Sequence, residues 1–406
     1  MKVLFIAGAC PFPPDSGGTV RTYNLLKRVC ERHEITLIAP SKPGVDLNAV
    51  FEGRPSQVVS VAYPARTLTG SLCAMVSRLP YIVKAHENAA MNAAVEQALQ
   101  TAQFDLIHCD SISVVPAIPM DARLPKVFNA HNIEAAIWER YLREERRPWM
   151  APVLASQLEK IRAYESHLPR IFDSCVVVSE PDRAQMRRYG FKHAQIVRNG
   201  VDLDYYEPLP EPLEPHITFV GSLDWRPNQD ALRWFLESIW SLIRAAAPRV
   251  RMTVVGRRPP RWMHPFCSRH GARLAADAPD VRPHLAEASV VVVPLRIGGG
   301  SRLKILEAMA AGKPVVSTSI GAEGLGVRHN EHILIADSPQ DFAHITVRLL
   351  NDGNRRQALA RAGRELVEAE YGWDGIAAEL EKAWSATVAF RVETPSPDLL
   401  PTEDTR

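Results

Sequence analysis

The chain has 406 residues, 46% of them apolar and 23% charged, with a net charge of +2. That composition is ordinary for a globular protein, so extensive disorder is excluded, and the charge is too small to indicate nucleic acid by itself. Single cores stop growing near about 250–300 residues, so this length predicts two domains.

From the start, short apolar runs alternate with helical patterns. Val3–Ala7, Ile35–Ala39, Val58–Val61, Leu106–His108, Lys126–Phe128, Val176–Ser179 and Ile196–Arg198 have the character of strands. Thr19–Glu31, Asn88–Thr101, Ile133–Arg146 and Pro152–His167 have helical spacing. Continuous apolar strands alternating with helices predict a parallel sheet covered on both faces. The opening Met1–Cys10 suits a buried first strand better than a lipoprotein signal, because its apolar run is short.

The connector Glu207-Pro-Leu-Pro-Glu-Pro-Leu-Glu-Pro215 interrupts this pattern as an interdomain linker. Alternation then resumes with strands at Ile217–Val220, Met252–Val255, Val290–Pro294, Val315–Thr318 and Ile333–Ala336, and helices at Asp230–Ala246 and Arg302–Ala311. Ile376, Leu380, Trp384 and Val388 repeat every four residues in a final helix, and the tail Thr394–Arg406 has a disordered composition. The expected division is 1–205, a linker at 206–215, 216–370, a helix at 371–390 returning to the first domain, and a tail at 391–406. The expected fold class is α/β, two tandem doubly wound domains whose cleft lies at the carboxyl ends of both sheets.

The six cysteines are scattered without a Cys-x-x-Cys pair, which suits reduced core thiols in a cytoplasmic protein. No window approaches the ~20 apolar residues of a membrane-spanning helix.

The densest chemistry lies in Arg296-Ile-Gly-Gly-Gly-Ser-Arg-Leu-Lys304 and the helix it opens. Gly298, Gly299 and Gly300 permit close backbone approach, Ser301 is a candidate N-cap, and the amides through Leu303 face the same space. Arg302 and Lys304 add positive charge and Glu307 an acceptor carboxylate, a set suited to a nucleotide diphosphate and its ribose. Gly17 and Gly18 precede a helix near Thr19, and His131 ends a strand. The plainer alternatives are a turn for the two glycines and a hydrogen-bonded core position for the histidine.

These residues resemble the family-4 glycosyltransferases of the GT-B fold, Rossmann-like in both halves. The resemblance rests on Phe219-Val-Gly-Ser-Leu-Asp-Trp-Arg-Pro-Asn228, Val254-Val-Gly-Arg257, Asp280-Val-Arg-Pro283, Leu306-Glu-Ala-Met-Ala-Ala-Gly-Lys-Pro-Val-Val316 and Gly321-Ala-Glu-Gly-Leu325. In the first half it rests on Pro11–Thr19, Ala130-His-Asn132, Val177-Val-Ser-Glu180 and Asn199-Gly-Val-Asp202. It implies a retaining transferase that moves a sugar from a nucleotide-diphospho-sugar to a glycan or lipid-linked acceptor in surface polysaccharide or glycolipid synthesis. Nucleotide-sugar contacts are implied at Gly17, Gly18, Gly221, Arg226, Gly299, Gly300, Ser301, Leu303 and Glu307, and catalytic ones at His131, Arg302 and Lys304. The chain departs from the family at Gly299, where the first glutamate of a Glu-x7-Glu motif belongs, and at Ser222, where many relatives carry arginine.

No Asp-x-Asp follows an apolar strand, since Asp202-Leu-Asp204 lies near the connector, so leaving-group stabilisation without a metal or cofactor is expected. Eight arginines and no acid between Arg244 and Ala276 form either a solvated face or a contact with anionic membrane at the inner face of the plasma membrane. Leu68–His86 is apolar enough for an acceptor-side lip or for core. An epimerase, a non-catalytic nucleotide-sugar-binding protein and a nucleic-acid binder are the rival readings.

Overall fold

A computed structural model of the chain describes residues 1–63, 68–145, 147–297 and 303–393. It divides into two units, one of residues 1–131, 156–197 and from Ala377 on, the other of residues 132–155 and 198–376.

In the first unit the strands are β1 (Lys2–Ile6), β2 (Glu34–Pro40), β3 (Gln57–Val61), β4 (Leu106–Cys109), β5 (Lys126–Ala130), β6 (Ser174–Val177) and β7 (Ala194–Ile196). They form one parallel sheet in the order β3-β2-β1-β4-β5-β6-β7. Val3, Leu4, Phe5 and Ile6 are completely buried because β1 lies mid-sheet with both faces covered. The order reverses between β1 and β4, which leaves a crevice beyond their carboxyl ends.

The second unit repeats the plan with β8 (His216–Val220), β9 (Arg251–Gly256), β10 (Arg273–Ala276), β11 (Val290–Val293), β12 (Val315–Ser317) and β13 (Leu334–Ile335). Their parallel order is β10-β9-β8-β11-β12-β13, reversing between β8 and β11. The four valines of β11 are buried. Strand β10 was not expected: its apolar run is only Leu-Ala-Ala, alanine favours strands little, and an edge strand needs no longer run.

The helix expected at Asp230–Ala246 starts earlier, at Arg226, with Pro227 in its first turn, where a missing N–H costs nothing. A π-turn at Phe235–Ile239 interrupts it before Trp240–Ala246. Phe235, Leu236, Ile239, Trp240 and Ile243 all remain in the core through this change of winding. Helix Leu303–Ala310 ends as its glycine foretells. Gly312 has φ +66°, its N–H donates to Met309 O at 3.0 Å, and that of Lys313 to Ala308 O at 2.9 Å.

The proline-rich connector is tied down inside the second unit. Leu209 N donates to Ala311 O at 3.0 Å, Lys313 Nζ to Pro210 O at 2.7 Å, and Arg356 pairs with Glu211 at 2.5 Å. In the final helix, Trp373–Glu393, Trp384 is fully buried and donates to His108 Nδ1 at 3.1 Å, while Thr387 meets Ser174 at 2.6 Å. The tail from Thr394 lies outside the described residues.

None of the six cysteines is paired; Cys30, Cys109, Cys175 and Cys267 are buried, but Cys73 is exposed and is not a core thiol. Within Leu68–His86, Ala74 and Val83 are core while Met75 and Val76 are exposed. Among the described residues no helix is long and apolar enough to cross a membrane.

Candidate functional site

Strand β8 ends in a turn, Gly221–Asp224, that the following helix holds in shape. Asn228 Nδ2 donates to Ser222 O and Gln229 Nε2 to Leu223 O, both at 2.8 Å. Lys304 Nζ donates to Asn228 Oδ1 at 2.6 Å and stands 5.1 Å from the centre of the Phe219 ring. A Cβ on Gly221 would lie 2.8 Å from that ammonium nitrogen. Glycine here lets the Lys304 and Asn228 ends approach the turn closely, and a larger residue would have to displace them. Gly256, at the end of β9, is tighter still, since a Cβ there would come within 1.9 Å of the Gly221 carbonyl oxygen.

One cation of this site escaped the sequence reading. Arg257, just past β9, donates from Nε to Ser222 Oγ at 2.9 Å, and Ser222 donates on to Asp224 at 2.7 Å. A guanidinium from the neighbouring strand thus meets Ser222. The available signal was the motif Val254-Val-Gly-Arg257, and the parallel register pairing Val220 with Val255 sets Arg257 level with the turn.

Arg226 is engaged differently from expectation. It pairs with Glu145 at 2.8 Å and lies 4.9 Å over the Tyr141 ring, so its charge is largely met within the protein. Hydrogen bonds from Arg147, then from Arg226, hold the Glu145 carboxyl down to about 2. Arg296 is likewise committed, with a bidentate grip on Asp230 at 2.7 and 3.1 Å.

Glu307 lies one turn beyond Lys304 and is half-buried. Burial lifts its carboxyl to about 7, against the opposing pull of the Lys304 charge and a hydrogen bond from Tyr206. Leu303 packs its side chain against the core. Gly299, Gly300, Ser301 and Arg302, with Gly298, lie outside the described residues.

In the first unit, Gly17 and Gly18 do not precede the helix but form its first turn. Ser16 is the N-cap, and a capping box with Thr19 closes it, Ser16 N donating to Thr19 Oγ1 at 2.9 Å. A Cβ on Gly18 would meet nothing within 4 Å, so the space at this helix start is open.

His131 follows β5 and retains 20% side-chain exposure. Its Nε2 lies 3.3 Å from Oδ1 of Asp110, a carboxylate just past β4 that the sequence reading did not single out. Asp110 also accepts from Thr22 Oγ1 at 2.6 Å and from Asn129 Nδ2 at 2.7 Å, and Arg21 donates to Asn129 Oδ1 at 3.3 Å. Burial alone would raise the Asp110 carboxyl, but the His131 and His108 imidazoles overcome it and hold it well below the usual carboxylate range. Burial lowers His108, and the buried Arg21 falls to about 10 for the same reason.

The arginine-rich stretch is less cationic than its composition suggests. Arg251 pairs with Glu214, Arg258 with Asp224 and Arg273 with Glu287, acids that lie outside the stretch in sequence but beside it in space.

With this geometry described, comparison with known proteins is informative. Residues 16–205 match Glycosyltransferase Family 4, and residues 214–352 match Glycosyl transferases group 1. A GDP-mannose-dependent alpha-(1-6)-phosphatidylinositol monomannoside mannosyltransferase of Mycobacterium tuberculosis is 28% identical over 330 residues, 71% of this chain and 85% of its own. Sucrose-phosphate synthase from Thermosynechococcus elongatus superposes with a TM-score of 0.72 at 18% identity, covering 96% of this chain and all of that one. Anabaena HepE, solved with UDP-glucose, gives 0.65 at 15% identity, covering 95% of this chain and 100% of its own. Two parallel α/β units of reversed strand order, matched along most of their length, place this chain in the family-4 glycosyltransferases of the GT-B fold.

Proposed function

We propose that this glycosyltransferase moves a sugar from a nucleotide-diphospho-sugar to a glycan or lipid-linked acceptor, with retention of configuration and without a metal ion. The observation that carries the reading is the Lys304 ammonium, held by Asn228 beside Gly221 where the second sheet reverses its strand order. Arg257 on Ser222 brings a second cation to the same turn. The resemblance assigns Gly299, Gly300, Ser301 and Arg226 to the nucleotide-sugar and Arg302 to catalysis; the pairing of Arg226 with Glu145 is our ground for giving it a secondary role.

In the reaction the bond from the anomeric carbon to the β-phosphate oxygen breaks while the acceptor oxygen bonds to that carbon. The departing phosphate takes the acceptor's proton on the same face. Charge grows on the diphosphate, and cations fixed in advance stabilise it more in the transition state than in the ground state. Glu307 accepts from the ribose hydroxyls, and His131 contacts the donor sugar. Of the Asp-x-Asp at 202–204, Asp202 is turned to its own backbone, its Oδ1 accepting from Asp204 N at 3.2 Å and Tyr205 N at 2.9 Å. That engagement favours cationic side chains over a carboxylate-held metal.

The relatives suggest two donors to try first, GDP-mannose and UDP-glucose, and a glycolipid as acceptor. Contact with an anionic membrane surface fits such an acceptor. The test is a thermal-shift series with UDP, GDP, UDP-glucose and GDP-mannose. A ligand at 100 times its Kd stabilises by about 2.7 kcal/mol. A shift that vanishes in Lys304→Ala and Glu307→Ala supports the site; equal shifts in wild type and both variants reject it.

A further inference from the structure

We infer that Asp110 is a positioning residue that fixes the ring of His131, so that Nε2–H points inward at the carboxylate and Nδ1 is presented outward to accept a hydrogen bond from a sugar hydroxyl. The inference rests on the proposed placement of donor sugar at His131, and adds to it a carboxylate from the adjacent strand end that no family motif includes.

The Asp110 carboxylate decides between two proton arrangements of the ring. Asp110 is 2% exposed, and its two oxygens receive the Thr22 hydroxyl, the Asn129 amide and the His131 ring. A carboxylate only accepts, so the His131 nitrogen at 3.3 Å must carry the hydrogen. Asn129 Nδ2 lies 3.4 Å from the same nitrogen and gives one of its two hydrogens to Asp110 at 2.7 Å; its second could reach a bare Nε2, but that would set the ring lone pair against the nearer, charged Asp110 oxygen at 3.3 Å. In neutral imidazole the other nitrogen is then the acceptor. His108 cannot take over this role. Trp384 donates to its Nδ1 at 3.1 Å, its Nε2 stands 3.8 Å from Asp110, and the ring is wholly buried. Only His131 combines the carboxylate contact with a side chain open to solvent.

The arrangement is fixed from behind. Thr22 belongs to the helix that begins at Gly17, so this network and the open space beside Gly18 are carried by the same element. Thr22 holds the other carboxylate oxygen, and the bond from Arg21 to Asn129 Oδ1 at 3.3 Å keeps the Asn129 amide nitrogen turned toward Asp110. An acceptor aimed outward suits a hydroxyl-bearing ligand and repels another bare acceptor such as a phosphate oxygen.

The readout is the ring nitrogen spectrum of ¹⁵N-histidine-labelled full-length protein above neutrality, with the His131 signal identified by its loss in His131→Gln. Wild type is expected to show Nε2 protonated and Nδ1 bare. A wild-type signal with the proton on Nδ1 overturns the inference without any variant having to fold. In Asp110→Asn the tautomers should mix, and turnover of UDP-glucose or GDP-mannose should fall on the order of 10–100-fold, chiefly in kcat. In a His131→Gln background the same substitution should cost no more than about twofold. An equal loss in both backgrounds would mean that Asp110 acts on the fold and not through His131. If instead the tautomer behaves as expected while His131→Gln leaves turnover intact, the coupling stands and the assignment of the sugar to His131 falls.

Discussion

Glu307 gives the sharpest quantitative test of the second unit. Its carboxyl is raised from 4.5 to about 7, chiefly by burial. At 1.36 kcal/mol for each unit, that interval corresponds to about 3 kcal/mol between protonated and charged forms. The folded state holds the extra proton, so the carboxyl costs nothing below pH 4.5 and destabilises progressively as pH rises to about 7. Glu307→Gln removes the titration while keeping the shape. Urea unfolding of wild type and variant at pH 5 and pH 8 should therefore show the variant gaining about 2.5 kcal/mol, relative to wild type, over that range. A ligand whose ribose hydroxyls donate to Glu307 favours the anion, so binding near pH 7 should release a proton. Calorimetry in buffers of different ionisation enthalpy would register it. A pH-independent stability difference, together with nucleotide binding that releases no proton in wild type, would refute both the burial argument and the ribose assignment.

Lys304→Ala should lower kcat/KM for the nucleotide-sugar by about 10²–10³-fold, the usual cost of removing one charge-stabilising donor, and undiminished turnover would refute its role. Arg257→Ala removes a charged partner worth about 1.5–3 kcal/mol, so donor turnover should fall roughly 10–100-fold in steady-state assays; an unchanged rate would confine Arg257 to holding Ser222. Gly221→Ala pushes a methyl onto the ends of Lys304 and Asn228, each 2.8 Å away. Those ends can move, so unfolding should change by less than about 1 kcal/mol while donor affinity weakens by calorimetry. Gly256→Ala instead drives a methyl into backbone 1.9 Å away and should destabilise by about 2–4 kcal/mol in the same melts.

Much of the fold was legible because central parallel strands are nearly pure apolar runs, as Val290–Val293 and Val3–Ile6 are. The edge strand Arg273–Ala276 was not legible for the complementary reason, that half its surface faces solvent and no pattern is imposed. The helix expected to end at Ala311 does end there, within a residue, yet Gly17 and Gly18 proved to be inside a helix, because the Ser16–Thr19 box sets the start two residues sooner. Motifs named Lys304 and Glu307 as candidates, but could not say which cations would be consumed by neighbours. Glu145 is distant in sequence from Arg226, and nothing local to either residue announces their pairing. Arg257 and Asp110 stayed hidden because each becomes chemical only across a strand boundary: Arg257 meets Ser222 from β9, and Asp110 meets Asn129 and His131 from β4.

The two sheets share a topology but place opposite charge at the reversal of strand order. After β1, a Cβ on Gly8 would lie 2.5 Å from the Ser111 Cβ, and the residue before that serine is the buried carboxylate Asp110. After β8, the corresponding glycine, Gly221, is closed instead by the Lys304 ammonium. A crevice at the carboxyl ends of parallel strands offers room and helix amides in either case, so what each crevice can bind is decided by these few side chains. The ammonium and the Arg257 guanidinium favour a diphosphate. The carboxylate, acting through the His131 ring, favours a ligand that can donate a hydrogen and is neutral, as a sugar hydroxyl is. Exchanging the charges should therefore do more than weaken binding: Lys304→Glu should abolish diphosphate recognition, whereas Lys304→Arg should retain part of it. UDP affinity that is equal in the two variants would show that charge is not what distinguishes the second crevice from the first.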